Sequence, residues 1–252
     1  MTLHESTMPR SLPCGVATDI PRVSVIIPYH NEGALICRAI ASINTQDYSS
    51  SVEIVVADDA SDIPPPLPTD SRFPIRYVRS DESLYAGGTR NLGVSHSFGE
   101  YLCFLDADDE YLPERLKSQV DFLDANPSVS LVGGPSLIIH NGTSRVSLSD
   151  VVRTFYPEYL ESSYVLPDTY RFHVCEAYPF HTGSFTIRRR FWTACGGFNT
   201  RYRWGEEIDL QVRLAQIGPT GYVPTTGMKY IQRSNSICST QNPCIGSAVV
   251  VF

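Results

Sequence analysis

Three short apolar runs in this chain each end in a polar or acidic cluster. Val23–Ile27 leads into Pro28-Tyr29-His30-Asn31, Val52–Val56 into Asp58-Asp59, and Tyr101–Leu105 into Asp106-Ala107-Asp108-Asp109. Runs of this length, rich in β-branched and aromatic residues, predict buried strands. Between the first two, Leu35, Ile36, Ala39, Ile40 and Ile43 recur at helical spacing, in a stretch opened by Asn31 and Glu32. Strand, helix and strand in so short a span form a βαβ unit, which requires parallel pairing. The expected class is therefore α/β with a mostly parallel central sheet flanked by helices. In such sheets ligands bind beyond the carboxyl ends of the strands, where the three clusters lie.

The rest of the chain extends this alternation. Ile75–Val78 predicts a third strand, Gly87–Phe98 a helix after a glycine-rich turn, and Pro113–Ala125 a helix with Leu116, Val120 and Leu123 inward. Val129–Val132 reads as a strand. Residues 135–180 show no sustained period. Order returns with Gly183–Ile187 as a strand, a short helix ending at Gly196-Gly197, a helix over Glu206–Ile217, and late strands at Gly221–Val223 and Met228–Ile231. Residues 1–21 read as a polar tail and 238–252 as an apolar tail. The domain between them, 22–237, divides into a half of about 22–134 and a half of about 135–237.

Composition excludes several classes. With 20 basic and 27 acidic residues the net charge is −7, which disfavours a nucleic-acid partner held by phosphate attraction. No apolar run reaches the ~18 residues needed to span a bilayer. Nothing in Met1–Arg10 resembles a secretory signal. The seven cysteines lack C-x-x-C spacing and are expected as free thiols in a reducing compartment. Asn141-Gly142-Thr143 matches a glycosylation triplet, which carries weight only in a secreted protein. Neither a Walker loop nor a G-x-G-x-x-G turn follows the first strand.

The acidic clusters carry the chemistry. At a strand end, Asp106 and Asp108 share a face, and carboxylates so close repel unless a cation or proton sits between them. Oxygen ligands suit Mg²⁺ or Mn²⁺ shared with substrate phosphates. Asp58-Asp59 would equally suit a turn or a carboxylate accepting from a base or ribose edge. In Trp204-Gly205-Glu206-Glu207-Ile208-Asp209 the acids open a helix. There they stabilise its dipole by ~0.3–1 kcal/mol, or one of them serves as a general base. Asp209 and Arg213 stand at surface-pair spacing. His181 is expected in the core or on a pocket wall.

Taken in order, these segments resemble the inverting nucleotide-sugar glycosyltransferases of family 2, whose fold is called GT-A. Val23–Asn31 is similar to the family's V-S-V-I-I-P-x-Y-N, with His30 for tyrosine. Val55–Asp62 resembles V-V-D-D-x-S-x-D, and Gly88–Gly93 resembles A-R-N-x-G with Thr89 for alanine. Gly99–Asp109 resembles the segment bearing D-x-D. Gly196-Gly197-Phe198-Asn199 and Gly205–Leu214 resemble G-G-F-D and G-E-D-x-D-L-x-x-R-L. The resemblance spans residues 22–237.

It implies a nucleotide-sugar site of Pro28, His30, Asn31, Glu32, Asp59, Gly88, Arg90, Asn91, Asp106 and Ala107. Asp108 would be the principal ligand of a divalent cation (Mn²⁺ or Mg²⁺), with Asp106 facing the ribose or the metal. The family's base falls on Glu207, a glutamate where aspartate is usual, with Glu206 or Asp209 as alternatives. Arg233 stands where the family usually has histidine. The resemblance further implies a nucleotide-diphospho-sugar, UDP-sugars first, and a carbohydrate, lipid-linked or glycoconjugate acceptor. It implies a cytoplasmic location, with peripheral contact to the inner face of the membrane open. Two alternatives stand beside it: a sugar nucleotidyltransferase, and a catalytically silent nucleotide-sugar-binding domain.

Overall fold

The computed structural model describes residues 20–147, 161–166, 168–170, 173 and 180–233. The expectations for residues 1–19 and 238–252, and for much of 135–180, lie outside the described residues. In chain order the described elements are β1 (Val23–Tyr29), α1 (Leu35–Asn44), β2 (Val52–Asp59), β3 (Ile75–Ser80), α2 (Tyr85–Ser95) and β4 (Tyr101–Phe104). There follow β5 (Glu110–Tyr111), α3 (Arg115–Ala125), β6 (Leu131–Gly133), β7 (Ser136–His140), β8 (Thr143–Ser147) and β9 (Tyr164–Val165). After a 3₁₀ turn at Thr182–Ser184 come β10 (Phe185–Arg188), α4 (Arg189–Cys195), α5 (Glu206–Ile217), β11 (Thr220–Tyr222) and β12 (Met228–Gln232).

Eight strands form the central sheet in the order β3-β2-β1-β4-β10-β6-β11-β9. β1, β2, β3 and β4 are parallel, and β10 is inserted antiparallel between β4 and β6. Alternation of side chains divides the core. Val25, Ile27, Ile54 and Val56 pack on one face with Ile36, Ile40, Leu116 and Val120 of α1 and α3. Ile26, Val55 and Phe104 pack on the other with Trp192, Phe198, Leu210 and Leu214. Both faces are covered, as a parallel sheet requires.

Four details depart from the sequence reading. β1 runs on past Ile27 to Tyr29, and Pro28 falls beyond the last position paired with β4 (Ile26↔Phe104), so it costs no ladder bond on that side. Asn31 does not open α1; it takes a left-handed turn at φ 58° and the helix starts at Leu35. α3 starts at Arg115 rather than Pro113, after Glu114 at φ 44°. Gly87 and Gly88 lie inside α2, which begins at Tyr85, so they form no glycine-rich turn at a helix start.

A second sheet, β5-β12-β7-β8, went unread. Its hairpin of β7 and β8 turns at Asn141-Gly142, both with positive φ (48° and 76°). Asn-Gly is the strongest short hairpin signal, and it was present in the triplet read only for glycosylation. This sheet packs beside the acidic strand end, because β12 pairs antiparallel with β5, directly after Asp109.

Candidate active site

A cleft of ≈ 860 Å³ opens beyond the carboxyl ends of β1, β2 and β4. Its floor is built by the loop after β1. His30 shares a hydrogen bond of 2.7 Å between Nδ1 and the Asp59 carbonyl, and Asn31 Oδ1 accepts from the Asp62 N–H at 3.0 Å. The His30 N–H donates to Glu32 Oε2. Burial, opposed in part by this bond, pushes Glu32 up to about 7.

The two aspartates ending β2 have different tasks. Asp58 is fully buried and accepts from the Ser61 N–H, the Tyr77 hydroxyl and Arg79. Burial alone would raise its pKa, yet these bonds and the Arg79 charge hold it below the ordinary value. Asp58 thus braces the strand end, and Asp59 is the one that lines the cleft. Asp59 accepts from Ser83 Oγ at 2.9 Å and the Leu84 N–H, which fixes the start of α2.

Asp106, Ala107, Asp108 and Asp109 lie together on the next wall. Asp106 accepts from Arg90 Nη2 at 2.7 Å, and Asp108 pairs with Arg233 Nη2 at 2.5 Å. Burial and the neighbouring Asp106 push Asp108 above the usual carboxylate range, only partly offset by Arg233. Asp109 is buried and accepts from the Ile231 N–H at 2.9 Å.

The start of α5 also lines the cleft. Gly205, at φ 70°, ends the approach in a left-handed conformation that glycine adopts without strain, and the helix then presents Glu206 and Glu207. Glu206 is buried and bonded to Arg90 Nη1 at 2.8 Å. Burial and the adjacent Glu206 charge push Glu207 up to about 7, the range a general base needs near neutral pH. Trp204, 53% exposed, and Arg203, whose guanidinium lies 4.4 Å from the Tyr85 ring centroid, form the rim.

Most predicted site residues therefore meet in one cleft: Pro28, His30, Asn31, Glu32, Asp59, Arg90, Asp106, Ala107, Asp108, Glu206 and Glu207. Three stand apart. Gly88 is packed against Leu84 inside α2. Asn91 bonds both ways to the Phe198 backbone, fixing the Gly196-Gly197-Phe198 turn. Asp209 is tied to Arg213, which also donates to the carbonyls of Cys195 and Gly197.

Other lining residues were missed or left without a role: Tyr85, Thr182, Gly183, Met228 and Tyr230. Tyr230 stacks on His181 at 4.9 Å, and burial pushes that imidazole down to about 4. Late strand β12 reaches the cleft only by pairing with β5 and β7, which no local pattern announces.

The oxygen donors of Asp106 and Asp108 suit a hard divalent cation, and burial first, then the Asp106 charge, raises the pKa of Asp108. Among the described residues no group of three or more His, Cys, Asp or Glu converges as a ready-made metal site. Two carboxylates would leave the remaining positions to phosphate and water.

The sheet order and the acidic strand ends define the class of fold, GT-A. Residues 24–197 match the family described as glycosyl transferase family 2. The chain belongs to that family, which separates it from the nucleotidyltransferases that share its fold logic.

It is 27% identical over 226 residues to the succinoglycan biosynthesis protein ExoO of Rhizobium meliloti, covering 86% of this chain and 63% of that protein. It is 30% identical over 129 residues to WfgD of Escherichia coli, a UDP-Glc:alpha-D-GlcNAc-diphosphoundecaprenol beta-1,3-glucosyltransferase, covering 48% of each. In structure it resembles S. aureus TarS (1–349) in complex with UDP-GlcNAc, with TM-score 0.67 at 18% identity, over 88% of this chain and 61% of the other. The chain thus spans less than two thirds of the length of each of these relatives. No described helix is long and apolar enough to cross a membrane.

Proposed function

We propose that the protein transfers a sugar from a nucleotide-diphosphate donor, a UDP-sugar, to a hydroxyl of a lipid-linked or other glycoconjugate acceptor, with inversion at the anomeric carbon. The observation that supports this reading is that Glu207 lines the same cleft as Asp106 and Asp108. A single displacement needs a base on the acceptor side and charge neutralisation on the leaving-group side, facing each other across the reacting carbon.

Each residue then has a task. Asp59, with His30 and Asn31, would hold the nucleoside. Asp106 and Asp108 would hold a divalent cation, Mn²⁺ or Mg²⁺, which when bound neutralises the diphosphate as leaving group. Glu207 would take the proton from the acceptor hydroxyl as its oxygen attacks. Glu206, held by Arg90, stands beside Glu207 and adds to the burial that raises the proton affinity of Glu207. Trp204, on the open rim, offers an apolar face to a sugar ring of the acceptor. The names of the relatives support a donor of the UDP-sugar class and an acceptor carried on a lipid diphosphate. A cytoplasmic location at the inner face of the membrane fits such an acceptor.

The reading is tested by incubating the protein with UDP-sugars and an undecaprenyl-diphosphate-linked sugar, with and without Mn²⁺. UDP release together with a product of inverted anomeric configuration is the expected result. UDP-sugar binding without turnover on any acceptor would leave a silent binding domain. Thermal-shift comparison of UDP-, GDP- and dTDP-sugars selects the nucleotide first, because stabilisation grows with the logarithm of affinity and needs no acceptor.

A further inference from the structure

We propose that Arg233 is the protein's own counter-charge for the donor diphosphate, stored on Asp108 until a divalent cation takes that carboxylate. The inference rests on the nucleotide-sugar reading above and concerns Arg233, which stands where the family usually has histidine.

The geometry begins with a ladder between the acidic strand end and β12. Glu110 pairs with Lys229 at 2.9 Å, Asp109 accepts from the Ile231 N–H at 2.9 Å, and Asp108 pairs with Arg233 at 2.5 Å. Three consecutive acids thus engage Lys229, Ile231 and Arg233, so the contacts continue past the two positions at which β5 and β12 pair. β12 is further fixed by β7 on its other side, from Met228↔Ser136 to Gln232↔His140. Arg233 directly follows this strand and lines the cleft. Its side chain is 41% exposed, beside an Asp108 side chain that is 21% exposed.

Such a pair is easily exchanged. Ion pairs this exposed contribute little, ~0.2–1 kcal/mol. A divalent cation at coordination distance from Asp108 would repel the guanidinium standing on the same carboxylate. A diphosphate beside it offers the planar fork two acceptor oxygens, which arginine grips better than a point charge does. The net result is an exchange of partners in which no bond to carbon changes. Asp108 passes from Arg233 to the cation, and Arg233 passes from Asp108 to the diphosphate. It follows that cation and nucleotide bind tightly only together, and that the cation alone competes with Arg233. The absence of a ready-made three-ligand site among the described residues agrees with this.

Calorimetric titration with Mn²⁺ alone, and with UDP in its presence and absence, tests the exchange on Arg233→Gln and Asp108→Asn. Arg233→Gln should bind Mn²⁺ alone about three- to fivefold tighter than the parent, the measure of a partly exposed ion pair. It should bind UDP in the presence of Mn²⁺ at least about tenfold more weakly, through loss of charged hydrogen bonds. Asp108→Asn should lose the response to Mn²⁺ while binding metal-free UDP more tightly than the parent, because Arg233 is released. That gain should vanish in the double variant. Equal Mn²⁺ affinity for Arg233→Gln and the parent overturns the competition. Unchanged UDP affinity, or an Asp108→Asn gain that persists without Arg233, overturns the diphosphate role. A parent protein that binds no UDP under any condition overturns the nucleotide reading and the diphosphate role with it, leaving the Mn²⁺ arm to decide the competition.

Discussion

Arg90 and Glu206 lie 116 positions apart in the chain and meet in the interior at 2.8 Å. The other arm of the same guanidinium holds Asp106. One buried fork therefore ties the acidic strand end to the helix that presents the candidate base. Its third group, Nε, has no hydrogen-bond partner, so the side chain is committed to these two carboxylates.

Substitution of Arg90 should therefore be costly to the fold as well as to activity. Arg90→Met leaves Glu206 as a buried carboxylate without its partner, a change worth about 3–5 kcal/mol. Arg90→Lys should fare little better, because a single ammonium cannot span both acids. Urea midpoints at neutral pH measure both. A loss below about 1 kcal/mol would mean that the fork does not hold the two walls together.

Glu207 sets the expected pH dependence of turnover. With its pKa at about 7, the side chain becomes protonated as pH falls, and a protonated carboxyl cannot accept the acceptor's proton. The rate should therefore fall on the acid side with a midpoint near 7. Glu207→Gln should lower turnover about 10²- to 10⁴-fold while leaving UDP affinity within about twofold of the parent. Retention of full activity would move the base role to Glu206.

The same shift bears on stability with a defined sign. Glu32 and Glu207 are raised from 4.5 to about 7, so between those values the folded chain holds protons that the unfolded chain has released. Their contribution thus weakens stability as pH rises through that window, and the penalty is complete above it. Glu32→Gln and Glu207→Gln should each raise the melting temperature at pH 8, by the equivalent of about 1 kcal/mol or more. The difference should vanish near pH 4. Equal melting temperatures at pH 8 would show that neither group is destabilised by its burial.

Gly93 tests the packing beneath the site. A Cβ at this position of α2 would stand 2.4 Å from Ile26 Cγ2 on β1, and 3.4 Å from the Ala57 Cβ. Gly93→Ala should cost about 1–3 kcal/mol by overpacking, despite alanine's better helix propensity. Thermal melts with and without UDP would show whether the displaced helix also loosens the nucleotide site.

The parts of this fold that could be read early are those written in local patterns. The short apolar runs become β1, β2 and β4, and the helix expected at Glu206–Ile217 is α5 with the same limits. Acidic residues at strand ends announced the cleft because a parallel sheet aligns those ends regardless of detail. What stayed hidden depends on partners distant in sequence. Asp209 looks like a third candidate base until Arg213 is seen to hold it against the Cys195 and Gly197 carbonyls. Asn91 sits in a binding motif yet spends its amide on the Phe198 backbone. β12 enters the site only through its pairing with β5. Charge had a plainer story: eight of the 27 acids stand in the three motif clusters, and the remaining 19 nearly balance the 20 basic residues.

The antiparallel strand β10 comes from the later half of the chain but lies between β4 and β6, both from the earlier half. β11, later still, pairs with β6. A cut near residue 134 would therefore sever a continuous sheet, not separate two modules. Chimeras that graft the second half of one such protein onto the first half of another must rebuild four strand interfaces, those of β10 with β4 and β6, of β11 with β6 and of β12 with β5. Acceptor choice in this architecture should instead be re-engineered by exchanging surface segments between intact strands, leaving the interleaved sheet of a single parent undisturbed.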